Sequence, residues 1–294
     1  MNITHLRHIA LFAPQLQRSR DFFVNAWGLE IAEEGAAGTF LRTSRAEPFQ
    51  LVLIPGRQRG VARVAFGVAS RRELDTAADE LVRAGVALVS EPSTLDTPGG
   101  GYGLRFRDPD DRCVELSSDV GDNGGSARHA APRYLAHAVF NTPNIDRATA
   151  FYTEVLGFRL SDWSEHVMSF LRCDHEHHAV AFNAAPHASV NHTSWQMASI
   201  DELFRAQGRL RAAGMPLMWG TGRHAPGKQV FNYFVEPSGY VVEYIADGEA
   251  ITDEASWQPQ VYRREPAAMD LWNTSGPPSA EIRSAMLGEP DPGG

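Results

Sequence analysis

The chain holds eleven histidines, and only His5 and His8 precede residue 129. The other nine are His129, His137, His166, His175, His177, His178, His187, His192 and His224. Histidine is the commonest metal ligand and the side chain most easily poised near neutral pH, so metal or proton-transfer chemistry belongs in the second half. Three residues there have the types of a metal site. His137 lies in the alternating run LAHAVFNT, and His192 lies in the corresponding run of a second repeat. Glu243 sits in Tyr240-Val-Val-Glu-Tyr244 and points to the opposite side of its strand from Val242 and Tyr244. An inward acidic residue flanked by apolar ones wants a partner. Two neutral imidazoles and one carboxylate, with positions left open, make the facial triad of non-haem Fe(II) oxygenases. Taken singly, each residue also has an ordinary reading: a strand Glu is more often solvated, and a lone strand His is more often a satisfied core residue. Three further proton donors or acceptors share this half. His178 opens His-Ala-Val-Ala-Phe182, His224 follows Gly-Thr-Gly-Arg, and Tyr233 opens the stretch that leads to Glu243.

Internal repeats supply the elements that position these residues. Residues 6–29 and 135–158 align without gaps at an offset of 129, each an alternating apolar run, a Pro and an amphipathic segment ending at Gly. Residues 63–86 and 192–215 repeat that order at the same offset. Near the ends, Asp-Pro-Asp-Asp and Glu-Pro-Ser-Gly are turn chemistry between strands, at an offset of 128 that sets Glu115 against Glu243. The chain therefore reads as four strand–helix–strands modules starting near residues 4, 61, 133 and 190. They pair into a first domain over 1–120 and a second over 133–275, with a Gly- and Ser-rich linker at 121–132 and a tail at 276–294. Trp257, Tyr262 and Trp272 are expected to pack the stretch after residue 252 onto the second domain, and the final GEPDPGG is expected to fray. If modules three and four form a pseudo-symmetric pair, their first strands meet at the centre and His137 faces His192.

Composition narrows the function. The chain has 294 residues and a formal net charge of −9, which provides no global field for phosphate backbones and argues against nucleic acid as a partner. Hydrophobic residues make up 43%, enough for a sizeable core, and no apolar run reaches the roughly 20 residues of a membrane helix. Cys113 and Cys173 are isolated and form neither a disulfide framework nor a zinc knuckle. Together with an N-terminus unlike a signal peptide, this predicts a cytoplasmic protein.

With these residues in place, the chain resembles the type I extradiol catechol dioxygenases of the vicinal oxygen chelate superfamily, over roughly residues 3–275. The fold class implied is α+β, with four βαβββ modules paired into two domains. The family's metal histidines match His137 and His192. Its carboxylate, in a turn-strand motif, matches Pro237-Ser-Gly-Tyr-Val-Val-Glu243. The acid/base histidine matches His178, the Gly-Arg-His histidine matches His224, and the tyrosine ten residues before the carboxylate matches Tyr233. Phe170, eight residues before His178, and Val139, beside His137, are the ring-pocket candidates. The resemblance implies Fe(II), with Mn(II) as the alternative, and cleavage of a catechol by dioxygen next to its two hydroxyls in aromatic-compound catabolism. It also implies a homo-oligomer.

Two features depart from that pattern or stand outside it. Relatives often carry Asn after the Gly-Arg-His loop where this chain has Lys228, expected to face an anionic ring substituent or else to be a solvated lysine. The run from Asp174 to His177 is expected to be a solvated loop rather than a second metal site. The superfamily also contains glyoxalase-like isomerases and non-catalytic binding proteins, neither of which needs the set of His178, His224 and Tyr233. Position by position, the first domain keeps His8 and Glu115 but has Arg63 where the second has His192, so no metal is expected there.

Overall fold

Every repeat folds as one strand, one helix and three strands. A computed structural model describes residues 1–122, 125 and 128–292. Module one comprises β1 (Ile3–Ala13), α1 (Leu16–Asp21), β2 (Glu30–Gly35), β3 (Gly38–Arg42) and β4 (Leu51–Pro55). Module two comprises β5 (Gly60–Val68), α2 (Arg71–Arg83), β6 (Leu88–Thr94), β7 (Tyr102–Arg107) and β8 (Cys113–Ser118). Module three comprises β9 (Tyr134–Thr142), α3 (Ile145–Ala150), β10 (Arg159–Ser164), β11 (Met168–Arg172) and β12 (Val180–Ala184). Module four comprises β13 (Ser189–Gln196), α4 (Ile200–Ala212), β14 (Trp219–Arg223), β15 (Val230–Val235) and β16 (Val241–Ala246). The stretch that follows adds β17 (Gln260–Tyr262), α5 (Pro266–Met269) and α6 (Ala280–Leu287).

Local chemistry sets the helix ends. The side chains of Ser70 and Ser199 accept hydrogen bonds from the backbone N–H of Glu73 and Glu202, capping α2 and α4. Helices α1 and α3 widen into π-helical turns at Phe22–Trp27 and Phe151–Val155, and each segment closes on a left-handed glycine, Gly28 at φ 103° and Gly157 at φ 81°.

The modules pair as the repeats require. One sheet runs β2-β3-β4-β1-β5-β8-β7-β6 and the other β14-β15-β16-β13-β9-β12-β11-β10-β17. The first strands of paired modules, β1 with β5 and β9 with β13, lie antiparallel at each centre. One apolar core joins both sheets, with Trp27, Trp195, Tyr152 and Tyr244 among its fully buried side chains. Trp27 of the first domain stacks on Tyr244 at 3.7 Å between centroids, and the Tyr244 hydroxyl donates to the Trp27 carbonyl at 2.6 Å. Tyr244 is the neighbour of Glu243, so the first domain braces the strand that carries the carboxylate.

The two turns singled out in the sequence also cross between domains. The Tyr240 hydroxyl donates to the Phe12 carbonyl, and Arg112 ties Asp108 at 3.2 Å and Asp110 at 3.0 Å while donating to the Asn141 carbonyl of β9.

Two expectations are corrected by packing. The end of the chain is anchored rather than frayed: Asp291 accepts from the Val61 N–H at 3.0 Å and its own N–H donates to Ala188. The run at 174–177 is only partly solvated, because His175 is exposed but His177 is fully buried. Part of the linker, at 123–124 and 126–127, and the last two glycines lie outside the described residues.

Removing the interdomain aromatic should be costly. Trp27→Ala is expected to lower unfolding stability by about 3–5 kcal/mol, the usual range for deleting a fully buried Trp side chain. The check is the midpoint of equilibrium urea unfolding, which must shift clearly downward with little change in slope.

Candidate metal centre

Four adjacent strands carry the site. Pairing of β9 with β13 sets His137 opposite Ser194 and His192 opposite Val139, with a register shift between Val190 and His192 that displaces the imidazole along the strand. Parallel pairing of β13 with β16 sets Ser194 beside Glu243, and antiparallel β15 sets Tyr233 directly across from Glu243. His137, His192 and Glu243 converge as a result, one ligand atom of each lying within 4.8 Å of the others, all three residues buried. The Glu243 Oε2 is 3.3 Å from His137 Nε2 and 3.5 Å from His192 Nε2, and its Oε1 is 3.6 Å from His224 Nε2.

These residues fit a divalent cation. Both carboxylate oxygens of Glu243 are buried without a hydrogen bond, a costly state for an anion unless a cation stands beside it. Burial alone would raise its pKa, yet the facing His137, His224 and His192 hold the carboxyl far below its ordinary range. Burial pushes His192 down to about 3, against the pull of Glu243, so its imidazole is neutral. An anionic carboxylate with neutral imidazoles is the protonation state that metal binding requires.

The support behind the ligands was not read from the sequence. His192 Nδ1 donates to Asn191 Oδ1 at 2.8 Å, which leaves Nε2 bare towards Glu243. Asn191 in turn donates to Asn141 Oδ1 at 2.9 Å, and the Asn141 amide donates to the Met286 and Leu287 carbonyls at the end of α6. The tail therefore fixes a ligand through two buried amides. His137 has no such anchor on Nδ1; its ring instead lies against that of His178, 4.0 Å between centroids.

A cavity of about 390 Å³ opens over this cluster, and His178, His224, Tyr233, Phe170 and Val139 all line it. The His224 Nδ1–H is held by the Met269 carbonyl at 2.8 Å, so its Nε2 accepts from the Tyr233 hydroxyl at 3.1 Å. Burial and the Glu243 charge push the Tyr233 phenol well above its ordinary value, which keeps it a donor. Burial and the surrounding His137, His177 and His192 push His178 well below its ordinary value.

Of the two readings of Lys228, the structure agrees with the surface lysine and not with the one that faces a ring substituent. It is not part of the cavity wall, and its ammonium lies 2.5 Å from Glu249 on an exposed surface. A short helical turn, Pro226–Lys228, carries it outward, whereas Pro226 itself lines the cavity.

The first domain shows what the same scaffold does without the third ligand. His8 and Glu115 are buried at the corresponding positions, and Arg63 reaches Glu115 at 3.2 Å and His8 at 3.3 Å. Arg105, which stands where the second domain has Tyr233, adds a hydrogen bond to Glu115 at 2.8 Å. Phe49 lies tilted against His8 at 4.6 Å between centroids, as His178 does against His137. Guanidinium groups occupy the position that a metal would need.

Acid should unfold the metal-free protein early. His192 titrates near 6.5 in the unfolded chain but near 3 when folded, and His178 and His8 are likewise depressed by burial. Below pH 6.5 the unfolded chain therefore binds protons that the folded chain refuses, and stability falls as pH drops from 6.5 towards 3. Glu243, also depressed, adds to the loss once pH passes below its ordinary 4.5. Thermal midpoints recorded from neutral pH down towards 4 should decline continuously; a flat profile would contradict the neutral-imidazole assignment.

Comparison with known proteins agrees with the geometry. The model of the "Glyoxalase/Bleomycin resistance protein/Dioxygenase superfamily" matches residues 5–116 and 134–244, one match per domain. The chain is 30% identical to Biphenyl-2,3-diol 1,2-dioxygenase of Paraburkholderia xenovorans over 277 residues, 87% of this chain and 91% of that protein. It is also 30% identical to Metapyrocatechase 2 of Cupriavidus necator over 201 residues, 60% of this chain and 62% of that protein's length. Among solved structures, a Mn(II)-bound glyoxalase from Novosphingobium aromaticivorans superposes with a TM-score of 0.90 at 32% identity, covering 96% of this chain and 94% of that one. Matched in both domains by the superfamily model and along nearly its full length by a ring-cleaving relative, the chain belongs to the glyoxalase/bleomycin resistance protein/dioxygenase superfamily and, within it, to the extradiol dioxygenases.

Proposed function

We propose that the second domain cleaves a catechol ring beside its two hydroxyls, with His137, His192 and Glu243 holding Fe(II) or, in its place, Mn(II). The observation that carries this reading is the convergence of His178, His224 and Tyr233 around the two-histidine, one-carboxylate cluster in a single cavity. The bound metal would supply a Lewis-acidic, redox-active centre at which a catecholate and dioxygen can meet.

The chain's own residues supply binding and proton transfer. Val139, Met168 and Phe170 form an apolar wall of the cavity against which an aromatic ring can lie. Tyr233, kept protonated, points its one O–H at His224 and turns it to a substrate oxygen when a catechol enters the cavity. His178, neutral and buried at the cavity wall, takes a hydroxyl proton from the catechol and returns a proton to the developing product. The first domain is a structural partner that holds no metal, because Arg63 and Arg105 already neutralise Glu115.

A second reading follows from the solved glyoxalase structure: an isomerase that uses the same three ligands and consumes no dioxygen. It leaves His178, His224 and Tyr233 without a task. Oxygen uptake separates the two. Aerobic addition of catechol or 2,3-dihydroxybiphenyl to Fe(II)-loaded protein should consume one dioxygen per ring and give a yellow product. No uptake with either, together with isomerase activity, would favour the second reading.

The ligand assignment is checked by metal analysis. The pure protein should hold one metal per chain, and His192→Ala should lose most of it together with ring cleavage, since two remaining ligands bind weakly. Full activity with stoichiometric metal in that variant would overturn the assignment. His178→Phe should instead keep its metal and still bind catechol while turnover falls by about 10²–10⁴-fold, the usual contribution of a general acid–base group. Metal loss in that variant would make His178 a ligand.

A further inference from the structure

Beneath His178 runs a buried chain of hydrogen bonds that the reaction scheme above does not use. His178 Nδ1 lies 2.9 Å from His177 Nδ1, and His177 Nε2 lies 2.8 Å from Asp162 Oδ2. His177 and Asp162 are both fully buried. The other carboxylate oxygen, Asp162 Oδ1, accepts the backbone N–H of Gln260 at 2.7 Å, where β17 pairs with β10. Trp257, hydrogen-bonded to the Ser161 carbonyl, lies edge-on to the His177 ring at 6.2 Å and closes the chain from above.

For a neutral His177 beside a carboxylate the direction of these bonds follows. The carboxylate can only accept, so His177 carries its proton on Nε2 and leaves Nδ1 as a lone pair. That lone pair must accept, so His178 carries its proton on Nδ1. We infer that His177 and Asp162 are positioning residues that lock His178 in the tautomer whose bare Nε2 faces the cavity, ready to take a proton from the substrate hydroxyl. The inference rests on the role proposed for His178. When Nε2 takes that proton, the hydroxyl O–H bond breaks and an N–H bond forms. The Nδ1–H stays on His178, and its hydrogen bond to His177 stabilises the positive ring. A third group that fixes a base's tautomer without itself titrating is a recurring catalytic arrangement.

Asp162→Asn tests this without changing shape. The Gln260 N–H holds the amide oxygen, so the amide NH2 must face His177 Nε2. His177 then carries its proton on Nδ1 and donates to His178 Nδ1, and His178 presents an N–H to the cavity instead of a lone pair. Two measurements read the outcome. Nitrogen-15 NMR of the histidine rings in Zn(II)-loaded full-length protein should show His178 as the Nδ1–H tautomer in the parent and the Nε2–H tautomer in the variant. In the Fe(II)-loaded protein kcat should fall by about 10²-fold or more while the KM for catechol and the metal content stay within about twofold.

An Nε2–H tautomer in the parent overturns the proposal, as does a reversed tautomer with undiminished kcat. If Asp162→Asn does not fold, His177→Gln decides: its amide oxygen can still accept from His178 Nδ1–H, so it must retain more activity than His177→Leu. Equal losses in the two would overturn the positioning role. If the parent shows the expected tautomer but consumes no dioxygen with any catechol, the dioxygenase reading fails and the relay stands.

Discussion

The second domain is organised around one buried negative charge. Glu243 sits buried in the sheet with neither oxygen hydrogen-bonded, beside the neutral imidazole of His192, which cannot cancel its charge. A carboxylate in that position is tolerable only beside a cation, and the surrounding residues supply ligands rather than a guanidinium. The antiparallel contact of β9 with β13, the parallel contact of β13 with β16 and the bracing stack of Trp27 on Tyr244 all fix where that charge stands.

The first domain answers the same constraint differently. Glu115 occupies the equivalent place and is just as buried, but Arg63 and Arg105 reach it at 3.2 Å and 2.8 Å. Its cation is covalently part of the chain. In the second domain the corresponding positions are His192 and Tyr233, side chains that bring no guanidinium to the carboxylate and leave room for a cavity. On the function proposed above, one copy of the module pair is a self-neutralised support and the other carries the chemistry.

The stretch beyond β16 completes the active domain at two points. Helix α6 offers the Met286 and Leu287 carbonyls to Asn141, which orients Asn191 and through it His192. Strand β17 offers the Gln260 N–H to Asp162, which orients His177 and through it His178. His192 and His178, the proposed metal ligand and proton-transfer residue, are each tied by hydrogen bonds to a segment that lies outside the repeats.

The sequence by itself determined the modules, their pairing and which side chains meet at the cavity. Alternation of apolar positions, glycine at segment ends and a fixed repeat offset are local signals, and they placed β1, β5, β9 and β13 within a few residues. His137, His192 and Glu243 were legible because metal ligands must be of particular types and because the repeat put two of them on matching central strands. The pairing of a guanidinium with Glu115 in the first domain was legible for the same reason, in Arg63. What only the tertiary structure decided was environment. His177 sits in a run that reads as charged and solvated, and its burial depends on Asp162 and on Trp257, which reach it from distant parts of the chain. Asn141 and Asn191 carry no local mark of their task, since an amide's role is set by what it faces. Lys228 lies in the right loop but points away, because the turn at Pro226–Lys228 carries its ammonium to Glu249. Spacing along a chain specifies which groups share a strand face; solvent exposure and hydrogen-bond direction depend on partners that only folding brings near.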